Sequence, residues 1–227
     1  MRSFVKTSIT IATAALLVGG LAACAPTSGS STTATPTESS SAPATPKAVA
    51  SIPALAGVDT KVALDAGFVA ALTSLKLTPG VLGSATLTDG VLAFPITGGN
   101  VDYYDPAASY RPYVQGSISH NGSGISLTAG STVVDLTNFR IDPGTSKLFG
   151  TVTANGAKVA DDVYIFNLDG STLKPLSKDS TGNAVLTGTR VLVSPDAAAL
   201  LNKTFGTNAV TDTLLVGIAT ITVKAAS

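Results

Sequence analysis

The sequence has very few residues with reactive side chains. Its 227 residues contain one cysteine, one histidine and no tryptophan. A single cysteine cannot form an intramolecular disulfide, so the stability of an exported domain would have to come from packing. A Ser-His-Asp triad could use only His120. The G-x-S-x-G, S-x-x-K and H-E-x-x-H motifs and a phosphate-binding glycine loop are also absent. The sequence therefore predicts no catalytic residues and no metal site, and favours a protein that is not an enzyme.

Charged residues are scarce too. They make up 12% of the chain, and 14 basic residues balance 14 acidic ones to a net charge of zero. Because no basic stripe is present, nucleic acid is not an expected partner. No basic cluster is present to bind anionic lipid headgroups, so membrane contact would have to come from an attached lipid.

Residues 1–23 have the pattern of a secretory signal. Arg2 and Lys6 provide a positive start, and the apolar stretch 9–21 is short for a membrane span. The run Leu21-Ala22-Ala23-Cys24 that follows resembles the lipobox of bacterial lipoproteins. This resemblance implies that the signal peptide is removed and that Cys24 carries lipid, which includes a palmitate chain. The protein would then be a lipoprotein on the extracytoplasmic face of the cell membrane, with no free thiol.

Residues 24–50 then form a predicted tether. After Cys24 they are almost wholly Ser, Thr, Pro, Ala and Gly, with Glu38 and Lys47 as the charged exceptions. Such a segment cannot bury enough apolar surface to offset the entropy of ordering, so we predict a disordered spacer. Residues 51–227 have the length of one domain.

Two short helices are predicted within this domain. The first covers residues 65–77, with Asp65 as N-cap and Pro79-Gly80 as the stop. The second covers 194–205, with Ser194 as N-cap, Pro195 in the first turn and Gly206 at the end.

The rest of the domain is predicted to be mostly β. The predicted strands cover 84–87, 91–96, 114–120, 125–129, 132–141, 147–154, 163–168, 184–193 and 214–223. Turn sequences separate them, among them 88–90, 98–100, 121–124, 142–144 and Asn155-Gly156. Many short strands with frequent turns are typical of a two-sheet sandwich or a barrel-like fold.

The predicted ligand-binding segment is rich in tyrosine. Four of the five tyrosines, Tyr103, Tyr104, Tyr110 and Tyr113, lie close together with Arg111. Tyrosine has a flat apolar ring and a polar tip, which suits recognition. The alternative is a long connection whose rings cover one end of the sandwich.

His120 is the remaining candidate ligand-binding residue. It would lie at a strand end. There it would be either a ligand or general base, or a polar residue that is hydrogen-bonded to a turn. The polar residue bonded to a turn is the favoured interpretation. A hydrolase of envelope polymers would instead need paired carboxylates in a cleft. Its candidate acids are Asp102, Asp105, Asp135, Asp161 and Asp162.

Four segments, 116–120, 124–128, 134–141 and 148–153, together resemble the middle of the Htaa domain. That family occurs in haem-uptake proteins on actinobacterial surfaces and is mostly β with short helices. It places a tyrosine iron ligand shortly after a phenylalanine of its first helix, but Phe68 is followed by Val69-Ala70-Ala71-Leu72 here. If haem binds, the resemblance implies a ligand from His120 or from Tyr103 and Tyr104.

The sequence thus predicts a membrane-anchored surface lipoprotein that acts as a non-catalytic binding or adhesion module, with no required cofactor. Its ligand would be a glycan, a protein or haem. The first alternative is a haem- or small-ligand-binding module of Htaa type, and the second is the envelope-polymer hydrolase.

Overall fold

The computed structural model describes residues 46–224. The predicted signal peptide, Cys24 and nearly all of the tether lie outside the described residues. Lipidation of Cys24 and anchoring to a membrane therefore stay predictions of the sequence.

The described residues form thirteen strands and two α-helices. The strands are β1 Ala50–Ile52, β2 Gly57–Leu64, β3 Thr78–Gly83, β4 Thr86–Thr88, β5 Val91–Pro95, β6 Gly98–Tyr103, β7 Val114–Ala129, β8 Thr132–Asp142, β9 Lys147–Ala154, β10 Ala157–Asp169, β11 Ser177–Lys178, β12 Ala184–Val193 and β13 Leu215–Val223. The helices are α1 Ala66–Ser74 and α2 Pro195–Phe205, and a 3₁₀ turn covers Gly170–Thr172.

All thirteen strands belong to one antiparallel sheet, which is curled into a half-barrel. Its order is β1-β6-β7-β8-β9-β10-β12-β13-β2-β5-β4, with β3 on β7 and β11 on β12. The mostly-β prediction with two short helices is confirmed, whereas the two-sheet sandwich is not found. The reason lies in β7, which continues for 16 residues through the predicted turn at 121–124. Its register shifts between His120 and Gly124, so the strand bends there without leaving the sheet.

A corner joins β5 to β6, the two strands that lie next to the edge strands of the sheet. Thr97 sits at this corner, and both its backbone N and its Oγ1 donate to the Ser119 carbonyl of β7, at 2.8 and 3.0 Å. Asn121 N donates back to Thr97 Oγ1 at 2.9 Å. Gly98-Gly99-Asn100, predicted as a turn, belongs to β6, where Gly99 has a φ of 124° and faces the Ser117 carbonyl. At Thr97 the chain therefore passes between the two limbs of the curled sheet. One limb contains β2 and β5, and the other contains β6 and β7.

Register shifts keep the apolar side chains inside the curl. Alternate residues of a strand face opposite sides, so one extra residue reverses which side chains point inward. On β7, Ile118 and His120 are buried before the shift and Ile125 is buried after it. β8 and β12 show similar shifts, near Asn138 and Gly188, both of which have positive φ.

The tight hairpin turns are where the sequence places them. Asn155-Gly156 joins β9 to β10 with φ values of 51° and 78°, and Asp89-Gly90 joins β4 to β5 with 51° and 75°. Positive φ at both central residues is the type I′ geometry that suits the twist of a hairpin.

Helix α2 is confirmed with its predicted caps. Ser194 Oγ accepts a hydrogen bond from Ala197 N, Pro195 begins the helix, and Gly206 ends it with a φ of 64°. Helix α1 has Asp65 as its N-cap as predicted, but it ends at Ser74, and Pro79-Gly80 lies in β3. None of the helices in the described part of the chain is long and apolar enough to span a bilayer.

Three neighbouring strands, β7, β8 and β9, line a cavity with one part of their length and pack into solid core with the other. On β8, Val134 and Leu136 are buried in solid core, whereas Phe139 and Ile141 line a cavity. Ile165 of β10 is fully buried and is not a lining residue of the cavity, so it belongs to the solid core.

Truncation of Ile165 tests its place in the packed core. We expect Ile165→Ala to lower the free energy of unfolding by about 2–5 kcal/mol, because the buried methyl groups leave a void. Val159 of the same strand is 52% exposed, so Val159→Ala should change it by less than about 0.5 kcal/mol. Urea denaturation measures both. Equal effects of the two substitutions would contradict the assignment.

Candidate functional site

A cavity of about 570 Å³ lies inside the curled sheet. This volume is within the range of small-molecule binding sites. Inward-facing side chains of nearly every long strand line it, and three connections border it: residues 104–113, 143–146 and 170–176. We call residues 104–113 the mouth loop.

The cavity lining is almost entirely apolar. Its aliphatic and phenylalanine members include Ile52, Val62, Leu92, Phe94, Val101, Ile118, Ile125, Phe139, Ile141, Leu148, Phe166, Leu168, Leu186, Val191, Val216 and Ile221. Arg111 is the one formally charged side chain among the lining residues. A cavity of this character favours an apolar ligand with few polar groups.

A buried polar pair links the two limbs of the sheet across the interior. His120 of β7 is 1% exposed and Thr60 of β2 is 5% exposed, and His120 Nε2 lies 2.9 Å from Thr60 Oγ1. Ser123 Oγ donates to the His120 carbonyl at 3.0 Å. Phe94 packs edge-on against both His120 and Phe139. His120 is therefore a buried lining residue inside a strand, and the predicted strand-end position is wrong.

Burial keeps His120 uncharged. It lowers the pKa of the imidazole from 6.5 to about 4, an effect that the Phe139 backbone opposes in part. Nδ1 is enclosed, and no described residue satisfies hydrogen-bond geometry at this atom. With Nε2 on Thr60 and Nδ1 sealed from solvent, neither ring nitrogen is presented to a ligand in the cavity.

The tyrosine cluster divides into two parts. Tyr103 and Tyr113 line the cavity beside Arg111, with their rings edge-to-face at 6.0 Å. Tyr104 and Tyr110 instead pack on each other at 4.6 Å and are not lining residues. Burial, with a further contribution from Tyr103, raises the pKa of Tyr113, and the positive charge of Arg111 opposes this shift in part. Of the predicted ligand-binding residues, Tyr103, Tyr113 and His120 thus come together at the cavity.

The candidate acids of a hydrolase do not converge on the cavity. None of the five is a lining residue. Each has a local partner: Asp102 accepts from Ser51, Asp105 from Ala107 N, Asp135 from Thr153, Asp161 from Thr151 and Lys158, and Asp162 from Arg140. The cavity therefore offers no carboxylate pair for glycoside hydrolysis. Across residues 46–224 no cluster of three or more His, Cys, Asp or Glu side chains is arranged to hold a metal ion.

Two features of the site were missed by sequence reasoning. Thr60 lies in β2, which the strand prediction left out, and its role depends on a contact 60 residues away along the chain. Arg111 was seen only as a neighbour of the tyrosines. Its placement as the charged lining residue depends on how the mouth loop folds back on itself.

Comparison with known proteins finds similar solved structures, among them two from Corynebacterium glutamicum. No protein-family model and no curated protein matches the chain. The C-terminal domain of HtaA from Corynebacterium glutamicum has a TM-score of 0.49 and 14% identity, covering 75% of this chain and 98% of that domain. The haem-binding protein HtaB from the same organism has a TM-score of 0.48 and 8% identity, with coverage of 77% and 96%. At this level of similarity neither structure assigns a ligand to this chain.

The burial of His120 predicts a pH-dependent stability. The unfolded chain titrates this residue near pH 6.5 and the folded protein only near 4, so between these values the unfolded state binds more protons. We expect the free energy of unfolding to fall by about 2 kcal/mol from pH 7.5 to pH 5. His120→Gln retains a polar group near Thr60 but cannot titrate, and its stability should be nearly flat over this range. Urea denaturation at pH 7.5 and pH 5 measures the free energy of unfolding of both proteins. An equal loss of stability in His120→Gln would show that His120 is not the group responsible.

Proposed function

We propose that this protein is a non-catalytic module that binds one apolar small molecule inside the curled sheet. The observation that carries the proposal is the cavity of about 570 Å³ with an almost wholly apolar lining. Membrane attachment through Cys24, as the lipobox pattern predicts, would hold such a module at the cell surface.

The physical reason is the cost of an empty apolar interior. Side chains around a void lose dispersion contacts, and the cost of the void grows with its volume. An apolar cavity is also poorly suited to water, which needs two to four polar partners. A bound apolar molecule would restore these contacts and stabilise the folded protein in proportion to its occupancy.

A small ligand fits the geometry better than an adhesion surface does. Adhesion through the tyrosine cluster would need rings that face solvent together. Tyr103 and Tyr113 instead line the cavity, and Tyr104 is only 9% exposed. The aromatic groups are thus arranged around an internal space.

Haem is a second candidate because Tyr103 places a phenol on the cavity lining. A tyrosine oxygen can ligate haem iron. The nitrogens of His120 fit that role poorly, because Nε2 is bonded to Thr60 and Nδ1 is enclosed. Burial raises the pKa of Tyr113, which disfavours the phenolate that iron binds. Within the described cavity Tyr103 is therefore the residue that would hold the iron, and the apolar walls would contact the macrocycle.

Filling the cavity should abolish binding of an apolar probe. Ala184 of β12 lines the cavity, whereas its neighbour Val185 does not, because alternate residues face opposite sides. We expect wild type and Val185→Trp to bind the neutral dye Nile red saturably, and Ala184→Trp to bind it at least about tenfold more weakly, since an indole would occupy the site. The measurement is dye fluorescence against protein concentration. Equal binding by all three proteins would place the dye elsewhere and contradict the proposal.

The haem candidate has its own optical test. Titration of wild type with haem should give a saturable Soret shift that Tyr103→Phe loses and His120→Gln retains. The tyrosine substitution removes one oxygen and leaves the ring in place. Absence of a saturable shift in wild type would exclude haem, while Nile red binding would still support an apolar ligand. A shift lost only in His120→Gln would contradict the choice of Tyr103.

A further inference from the structure

We propose that the ligand is a single-chain amphiphile with a carboxylate headgroup, such as a long-chain fatty acid. Its alkyl chain would lie in the cavity and its carboxylate would bind Arg111. The inference rests on the proposed function and adds the chemical class of the ligand.

Arg111 has unused hydrogen-bond donors. Its Nη1 donates to the carbonyls of Ala108 and Tyr110, and its Nη2 donates to the carbonyl of Pro106. A guanidinium has five N–H groups, so these three bonds leave two, one of them on Nε, without an acceptor among residues 46–224. A carboxylate with two oxygens is the acceptor that a guanidinium binds best.

The positive charge of Arg111 is also unmatched. Each of the four ion pairs among the described residues involves other side chains. The acids nearest in sequence are engaged elsewhere, because Asp105 accepts from Ala107 N and Asp102 from Ser51. Arg111 is an exposed residue at the edge of the apolar space, where an anionic headgroup can reach it. Such a headgroup would supply the opposite charge, and the apolar walls would hold the rest of the molecule.

The guanidinium is held in place before any ligand arrives. The three carbonyls that it binds belong to the mouth loop, and its Cζ lies 5.5 Å from the centre of the Tyr113 ring. A side chain fixed in this way loses little conformational entropy on binding. Arg111 is therefore positioned to recognise a headgroup, since its loop already restricts its motion.

The size of the cavity favours one chain. A volume of about 570 Å³ is that of a site for a single small ligand. The lining on either side of Arg111 continues without another charged group. The arrangement suits a molecule with one acidic end and one long apolar part.

A matched pair of probes tests the headgroup. The fluorescent fatty acid 11-(dansylamino)undecanoic acid and its methyl ester differ by one methyl group, which removes the charge of the headgroup. At pH 7.5 we expect the full-length protein to bind the acid about tenfold more tightly than the ester, in line with a charge-assisted hydrogen bond. Arg111→Gln should bind both with the affinity of the ester. Arg140→Gln should behave as wild type, because Arg140 pairs with Asp162 outside the cavity lining.

The outcomes separate the two proposals. Equal affinity of wild type for acid and ester, or an acid preference that survives Arg111→Gln, would overturn the carboxylate inference and leave the apolar-ligand proposal standing. Failure of both probes and of Nile red to bind would overturn both. If Arg111→Gln loosens the mouth loop, binding of the ester will weaken as well. The ratio of acid to ester affinity therefore remains the deciding quantity.

Discussion

The corner at Thr97 determines the shape of the interior. There the chain leaves β5, on one limb of the curled sheet, and enters β6, on the other. Three hydrogen bonds between Thr97 and the β7 residues Ser119 and Asn121 hold the limbs together. Phe94 packs against His120 and Phe139 just inside. Since β1 and β4 remain as unpaired edges of the sheet, the strands curl without closing into a barrel, and the space between the limbs becomes the cavity.

Polar groups occupy only particular points of this interior. His120 Nε2 pairs with Thr60 Oγ1 in the buried part of the interior, where a charge would be costly and where burial lowers the pKa of His120 to about 4. Arg111 carries the charge at the mouth loop, where solvent and a ligand headgroup can reach it. The walls between are apolar. A neutral pair at one place and a cation at another would give a bound molecule a preferred direction, because its polar end would be favoured only beside Arg111.

The features that could be predicted are those set by neighbouring residues. Helix α2 has the predicted caps because Ser194, Pro195 and Gly206 each act within one turn of the chain. Asn155-Gly156 turns as expected for the same reason. The interpretation of 121–124 as a turn was wrong because a glycine-rich segment can form either a turn or a bulge, and pairing with β8 selects the bulge. Helix α1 ended early because Thr78 to Gly83 pair with β7, a contact far away in sequence.

The sequence by itself determined the mostly-β composition, the two capped helices and the shortage of catalytic groups, since each follows from local propensity or from which residues are present. It also brought the tyrosines and His120 forward as candidates, because they are rare side chains. Only the tertiary structure decided that Tyr103, Tyr113 and Arg111 line a cavity while Tyr104 and Tyr110 do not. It likewise decided that His120 is buried against Thr60. These placements depend on the curvature of a sheet whose pairings join residues far apart in the chain, and periodicity along one strand does not encode that curvature.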